Sequence, residues 1–219
     1  MSRLSGPRVA PRSGVAQQLV VLLHGVGADG ADLIGLAPAL APLLPHAAFV
    51  APNGPEPCDM APFGYQWFSL QDRRPEALLR GVQVAAPLLD AFLDEELARH
   101  NLDARRLALV GFSQGTMLAL HVAPRRALPM AAVLGFSGAL LGAEALPAEA
   151  VSRPPVFLIH GDADEIVPVG ALSAAVAGLQ AADIPVRFEI RPGLPHAIDP
   201  EGLAHGGAFL AAAFRDHGS

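Results

Sequence analysis

The sequence contains no lysine: its 15 basic residues are all arginine. That absence removes Schiff-base catalysis, a Ser–Lys dyad and a lysine-anchored phosphate loop. A single cysteine, Cys58, excludes an internal disulfide and any multi-cysteine zinc or iron–sulfur centre. Charged residues make up only 16%, and the net charge is −6 with no arginine-rich tract. Nucleic acid and anionic membrane are therefore poor partners. Long hydrophobic runs are also missing. The most apolar stretch, Leu36 to Pro52, is interrupted by Pro38, Pro42, Pro45 and His46, which a membrane-spanning helix would not tolerate. The opening MSRLSGPRVAPRSG has arginines but no apolar segment behind them, so it does not read as a secretory signal. The expectation is a soluble, cytoplasmic protein.

What is present is apolar: hydrophobic residues are 52% of 219, enough for one full core without staples. Short apolar runs occur at Leu19–Leu23, Ala47–Ala51, Leu107–Val110, Ala131–Phe136, Val156–His160 and Val186–Ile190. Runs that are apolar throughout, rather than alternating, indicate parallel strands covered on both faces. Between them the spacing predicts a helix from Pro75 to His100, kinked at Pro87, and further helices after Ser113, near Pro168 and near Pro200. This alternation predicts a single-domain α/β fold over residues 17–219, with a mostly parallel central sheet, helices on both faces and no large lid. Residues 1–16 read as an N-terminal extension or an edge strand. In such sheets the ligand sits beyond the carboxyl ends of the strands, so chemistry is sought in the segments that follow each one.

Two glycine motifs compete there. Gly25-Val26-Gly27-Ala28-Asp29-Gly30 is a literal GxGxxG, which read alone implies a nucleotide-binding protein. With so many glycines, chance supplies about 0.2 such matches, and the first acid after the second strand, Glu56, stands beyond two prolines, poorly placed to hold a ribose. Gly111-Phe112-Ser113-Gln114-Gly115 is a GxSxG placed between a strand and a helix, a pattern chance supplies about 0.1 times anywhere in the chain. A sharp strand-to-helix turn lifts the serine hydroxyl clear of the sheet, and glycines two before and two after let the backbones pass closely. Ser137, in Gly135-Phe136-Ser137-Gly138, also follows a strand, but its second glycine is misplaced. It reads as a strand-end turn bordering the pocket.

A serine needs a base, and the base a carboxylate to orient it. Asp162, Asp164 and Glu165 follow the strand ending at His160, and position alone does not choose among them. Of eight histidines, only His196 lies on a post-strand loop downstream of those acids. His100 and His217 read as solvated, His121 and His205 as helical, His160 as a core residue ending a strand, and His24 as a brace for the glycine loop. Cys58 lies in a proline-rich loop without an elbow and reads as a small hydrophobe.

With these residues placed, the chain resembles the phospholipase/carboxylesterase group of α/β-hydrolases, which includes acyl-protein thioesterases. The resemblance runs from about Gln18 to Phe214 and rests on LLHGVGADGADLIGLAP, APNGPEPCDMAPFGYQWFSL, GFSQG, HGDADEIVP and PGLPHAI in that order. It implies Ser113, Asp164 and His196 as catalytic residues, with Asp162 structural, and the backbone N–H groups of Val26 and Gln114 as an oxyanion hole. The family usually carries glycine where Pro195 precedes the histidine. The loop from Asn53 to Phe68 is expected to shape the acyl site, with Trp67, Phe68 and Ser137 as pocket residues, although Trp67 equally fits a core role. The implied function is a serine carboxylesterase acting on short- to medium-chain esters. Thioester or lysophospholipid hydrolysis is the alternative on the same triad, and a non-catalytic acyl binder the alternative outside it. No metal or cofactor is implied, and related esterases make a homodimer an admissible state.

Overall fold

The computed structural model describes residues 4–216. The short N-terminal strand β1 (Arg8–Val9) is followed by β2 (Gln18–Leu23), the one-turn helices α1 (Gly30–Leu33) and α2 (Ala37–Leu40), and β3 (Ala47–Val50). A small hairpin, β4 (Glu56–Pro57) and β5 (Tyr65–Gln66), leads to α3 (Pro75–His100). Then come β6 (Leu107–Phe112), α4 (Gln114–Val122), β7 (Ala132–Phe136), α5 (Leu146–Glu149), β8 (Val156–Gly161), α6 (Gly170–Ala181), β9 (Val186–Arg191) and α7 (Pro200–Asp216). His217, expected to be solvated, lies outside the described residues.

The main sheet has seven strands in the order β1-β3-β2-β6-β7-β8-β9. All neighbours are parallel except β1, which pairs antiparallel with β3 through Arg8↔Val50 and Val9↔Phe49. Part of the expected N-terminal extension is thus an edge strand. Side chains alternate between two cores: Leu19, Val21 and Leu23 of β2 join α3, α4 and α6, whereas Val20 and Leu22 join α2 and α7. Helices on both faces explain why the central strands are apolar at every position. Pro87 leaves α3 a single helix from Pro75 to His100, ended by Asn101 in the left-handed conformation at φ 53°.

From β2 the chain turns outward to β3 and then returns to the other side of β2 with β6. The reversal opens a crevice beyond the carboxyl ends of β2 and β6, the place where doubly wound sheets take their ligands. Both glycine motifs sit there.

One buried group couples this core to pH. His121 on α4 is buried, and among the described residues its Nδ1 has no hydrogen-bond partner. Burial, with the Arg125 charge nearby, pushes its pKa from 6.5 down to about 4. The unfolded chain therefore takes up a proton before the folded one does. His121 costs nothing above pH 6.5, and its penalty on the fold grows as the pH falls to about 4, where it levels off. Replacing His121 with leucine should flatten the loss of melting temperature across that window by a few degrees, measured by circular dichroism. Identical profiles for the parent and His121→Leu would disprove the coupling.

Candidate active site

The turn between β6 and α4 puts Ser113 at φ 53° and ψ −116°, a backbone state that L-residues adopt only at about 1–3 kcal/mol cost. The neighbouring glycines show what enforces it. A Cβ on Gly115 would stand 2.0 Å from the Leu23 carbonyl oxygen, and one on Gly111 would stand 2.5 Å from the Thr116 nitrogen. The Ser113 N–H donates to the Phe136 carbonyl at 2.9 Å, tying the elbow to β7. Ser113 is 6% exposed, and among the described residues its hydroxyl makes no hydrogen bond. Such bonds are often long in resting enzymes and shorten when substrate binds.

His196 follows β9 and reaches this turn. Its imidazole packs on the Phe112 ring with centroids 4.8 Å apart. Its Nδ1–H donates to Asp164 Oδ2 at 2.7 Å, leaving Nε2 with a free lone pair. Pro195, in place of the family's glycine, leaves that contact intact. The histidine loop is fastened to the acid loop: the Ala163 N–H donates to the Leu194 carbonyl at 3.2 Å, and the Gly193 N–H to Asp162 Oδ1 at 2.6 Å.

Asp164 is saturated with donors. Oδ1 accepts the N–H groups of Ile166 at 2.9 Å and Val167 at 2.8 Å. Burial alone would raise its pKa, but the bonds from His196, Val167 and Ile166 outweigh it and hold the carboxyl below its usual range. A second imidazole also faces Oδ2. His160 Nε2 stands 3.3 Å from it while donating to the Val167 carbonyl at 2.7 Å. Because a carbonyl only accepts, that nitrogen carries the proton. The expectation of a core role for His160 described its burial but not this contact with the carboxylate.

The glycine loop after β2 faces the elbow. A Cβ on Gly25 would lie 3.3 Å from Ser113 Cβ, so only glycine lets the two segments approach this closely. The Val26 and Gln114 N–H groups donate no hydrogen bond among the described residues, whereas Gly27 and Ala28 between them are bonded to Tyr65 and Gly25 carbonyls. Gln114 opens α4, so its N–H is one of those a helix leaves unpaired. His24 braces the loop as expected: Nδ1–H donates to its neighbour's carbonyl at 2.7 Å, and Nε2 accepts the Gly54 N–H at 2.9 Å. Burial lowers its pKa and keeps it neutral in that tautomer.

The nucleotide reading meets physical obstacles here. The helix after the GxGxxG is a single turn capped by Asp29, whose Oδ1 accepts the Asp32 N–H. Asn53 Oδ1 takes the Gly30 N–H at 2.8 Å. The Gly30 and Asp32 N–H groups at the head of this turn, which would face a pyrophosphate, are used by the protein itself.

The pocket residues are placed less directly. Trp67 and Phe68 are buried in the core on the α3 side. Trp67 Nε1–H donates to the His24 carbonyl at 2.9 Å, and its own N–H donates to Gln114 Oε1. The Gln114 amide then donates to the Phe68 carbonyl at 2.6 Å. Trp67 thus supports the glycine loop from behind, the core role the sequence left open. Ser137 follows β7, buried at φ 49°, with its N–H donating to the Ile159 carbonyl and no partner for its Oγ among the described residues. Trp67 and Phe68 also line a cleft of about 300 Å³ together with Glu56, Ser69, Arg80 and Val84, and a separate cleft of about 250 Å³ beside His196 is lined by Asp32, Leu33, Leu36, Phe112, Ala197 and Ile198. Among the described residues no cluster of His, Cys, Asp and Glu could hold a metal ion, and no helix is long and apolar enough to cross a membrane.

Known proteins match this arrangement over nearly all its length. The family model described as phospholipase/carboxylesterase matches residues 4–213. Esterase YpfH of Escherichia coli K12 is 32% identical over 188 residues, covering 86% of this chain and 79% of that protein. Acyl-protein thioesterase 1 of Kluyveromyces lactis is 29% identical over 178 residues, covering 76% and 78%. The crystal structure of esterase PE8 superposes with a TM-score of 0.92 at 45% identity, covering 95% of this chain and 98% of that one.

Proposed function

Since the chain belongs to the phospholipase/carboxylesterase family, we propose that it is a serine carboxylesterase in which Ser113 is the nucleophile, His196 the general base and Asp164 the orienting acid. The observation that carries this reading is the convergence of three loops. Ser113 stands in a left-handed turn at the head of α4, and His196 is held between the Phe112 ring and the Asp164 carboxylate.

The reaction follows from the proton positions. The Asp164 bond keeps the proton of His196 on Nδ1, so Nε2 accepts the Ser113 hydroxyl proton as Oγ attacks the ester carbonyl. Charge moves to the carbonyl oxygen, where the free N–H groups of Val26 and Gln114 and the amino end of α4 stabilise it; one such donor is worth roughly 3 kcal/mol. The tetrahedral intermediate collapses, the alcohol leaves with the proton from His196, and an acyl-serine remains. Water then gives a proton to Nε2, attacks the acyl carbon and releases the acid. As written, the chemistry needs no metal or cofactor.

The substrate is a small ester with a short- to medium-length acyl chain. A cleft of about 250 Å³ flanks His196, and a second of about 360 Å³ lies among Leu78, Leu79, Leu140 and Leu141. Both are at or below the small end of ligand pockets. The Kluyveromyces relative, named as a thioesterase, favours a second reading in which the same residues cleave thioesters. A cytoplasmic setting suits a chain with one cysteine, and the net charge of −6 offers nothing to nucleic acid.

A series of p-nitrophenyl esters from acetate to dodecanoate, run beside acyl thioesters, tests the assignment. The expected result is a kcat/KM maximum between butyrate and octanoate, with a fluorophosphonate labelling Ser113. Turnover of thioesters without oxygen esters would move the function to the second reading. An unlabelled Ser113 in a folded protein would remove both.

A further inference from the structure

His160 stands one residue before the end of β8, and its side chain is 1% exposed. A buried imidazole needs a partner, and the Val167 carbonyl at 2.7 Å supplies one. A core role asks for nothing more. Yet the same Nε2 lies 3.3 Å from Asp164 Oδ2, the oxygen that holds His196. Both neighbours of this nitrogen are acceptors, so a lone pair there would be repelled by each, and the proton belongs on Nε2. His160 thus turns the positive edge of its ring toward the carboxylate. Among the described residues Asp164 is the only charged group within ion-pair distance of it.

The contacts form a closed circuit. His160 donates to the Val167 carbonyl, and the Val167 N–H donates to Asp164 Oδ1 at 2.8 Å. Ile166 gives Oδ1 a second donor, while His196 and His160 both face Oδ2. Two N–H groups toward each oxygen occupy the lone-pair positions of a carboxylate, and the Asp164 side chain is fully buried. Val167 precedes Pro168, which restricts how its carbonyl can turn. If that carbonyl lost the imidazole, it would reach water only by moving the residue, and the N–H aimed at Oδ1 would move with it. We propose that His160 is a positioning residue for the hydrolysis: by holding Val167 and facing Oδ2, it keeps the Asp164 carboxylate at the angle that orients His196. The inference rests on the proposed role of Asp164 as the orienting acid. His160 itself touches neither substrate nor Ser113, and it acts only through the acid.

His160→Leu removes the donor and should lower kcat for p-nitrophenyl butyrate roughly 10- to 100-fold, with KM within about twofold of the parent. His160→Gln places an amide nitrogen as many bonds from the backbone as Nε2, with an N–H for each oxygen, and should restore kcat to within about threefold. His160→Asn falls one bond short and should resemble the leucine variant. Proton NMR separates positioning from simple stability. The far-downfield resonance of the His196 Nδ1–H should broaden or vanish in His160→Leu and return in His160→Gln. In the parent itself, nitrogen shifts of ¹⁵N-labelled histidine should place the His160 proton on Nε2. Fluorophosphonate labelling of Ser113 in the parent reports separately on the underlying assignment, and its failure would remove that assignment and this role together. With Ser113 labelled, three results would each overturn the role of His160 and leave the triad standing. They are a His160→Leu variant that loses melting temperature but neither kcat nor the Nδ1–H signal, equal losses in His160→Gln and His160→Leu, and a His160 proton on Nδ1.

Discussion

Replacing Ser113 with alanine should lower kcat/KM for p-nitrophenyl butyrate by about 10⁵-fold, some 7 kcal/mol of transition-state stabilisation, and abolish fluorophosphonate labelling. The residue contributes nothing else the fold depends on. Its hydroxyl has no hydrogen-bond partner among the described residues, and its backbone bonds to Phe136 and Met117 survive the change. The left-handed backbone costs alanine about what it costs serine, so the melting temperature should barely move. Ser137 provides the contrast. It too follows a strand, has a positive φ and is buried. Yet its Oγ is buried, without a partner among the described residues, and no imidazole or carboxylate contacts it there. Ser137→Ala should leave turnover within about twofold of the parent, since it removes only an unsatisfied polar atom. Loss of activity in Ser137→Ala with retention in Ser113→Ala would reverse the assignment.

Asp164→Asn is expected to cost about 10⁴-fold in kcat, and Asp162→Asn about tenfold or less. The asymmetry comes from the donors around each carboxylate. Two backbone N–H groups, of Ile166 and Val167, point at Asp164 Oδ1. In the amide the oxygen must stay there, which turns the NH₂ toward His196 Nδ1 and His160 Nε2. Facing a donor, the His196 Nδ1 becomes an acceptor and its proton moves to Nε2. An imidazole in that tautomer cannot take the Ser113 proton. Among the described residues the Asp162 carboxylate accepts only the Gly193 N–H, which an asparagine oxygen still accepts. Steady-state kinetics of both variants would separate the acids, and equal losses would mean that the loop rather than the tautomer is being measured.

That choice between acids shows how far the sequence could be read. Position after a strand left Asp162, Asp164 and Glu165 open. The family resemblance pointed to Asp164, whose Oδ2 meets His196. The main-sheet strands β2, β3, β6, β7 and β8 were legible because a segment covered on both faces has few ways to be other than apolar. β6 runs two residues beyond the expected Val110, since Gly111 continues the ladder where α4 passes close. The small hairpin of β4 and β5 left no periodic signal, being two residues on each side. Equally silent were the Gln114 amide, which joins Trp67 to Phe68, and the proximity of His160 to the acid. Those contacts join side chains to distant backbone or to a carboxylate on a neighbouring loop, and no spacing rule encodes them.

The order in which the loops emerge has a consequence for synthesis. The elbow serine is translated long before the imidazole, which arrives on the crossover after β9, close to the end of the chain. Until that final segment docks, a nascent chain carries the hydroxyl and the glycine loop without anything to activate them. On the proposed assignment, a chain folded only as far as β8 would hold Ser113 without its base, and esterase competence would begin when His196 docks against Asp164.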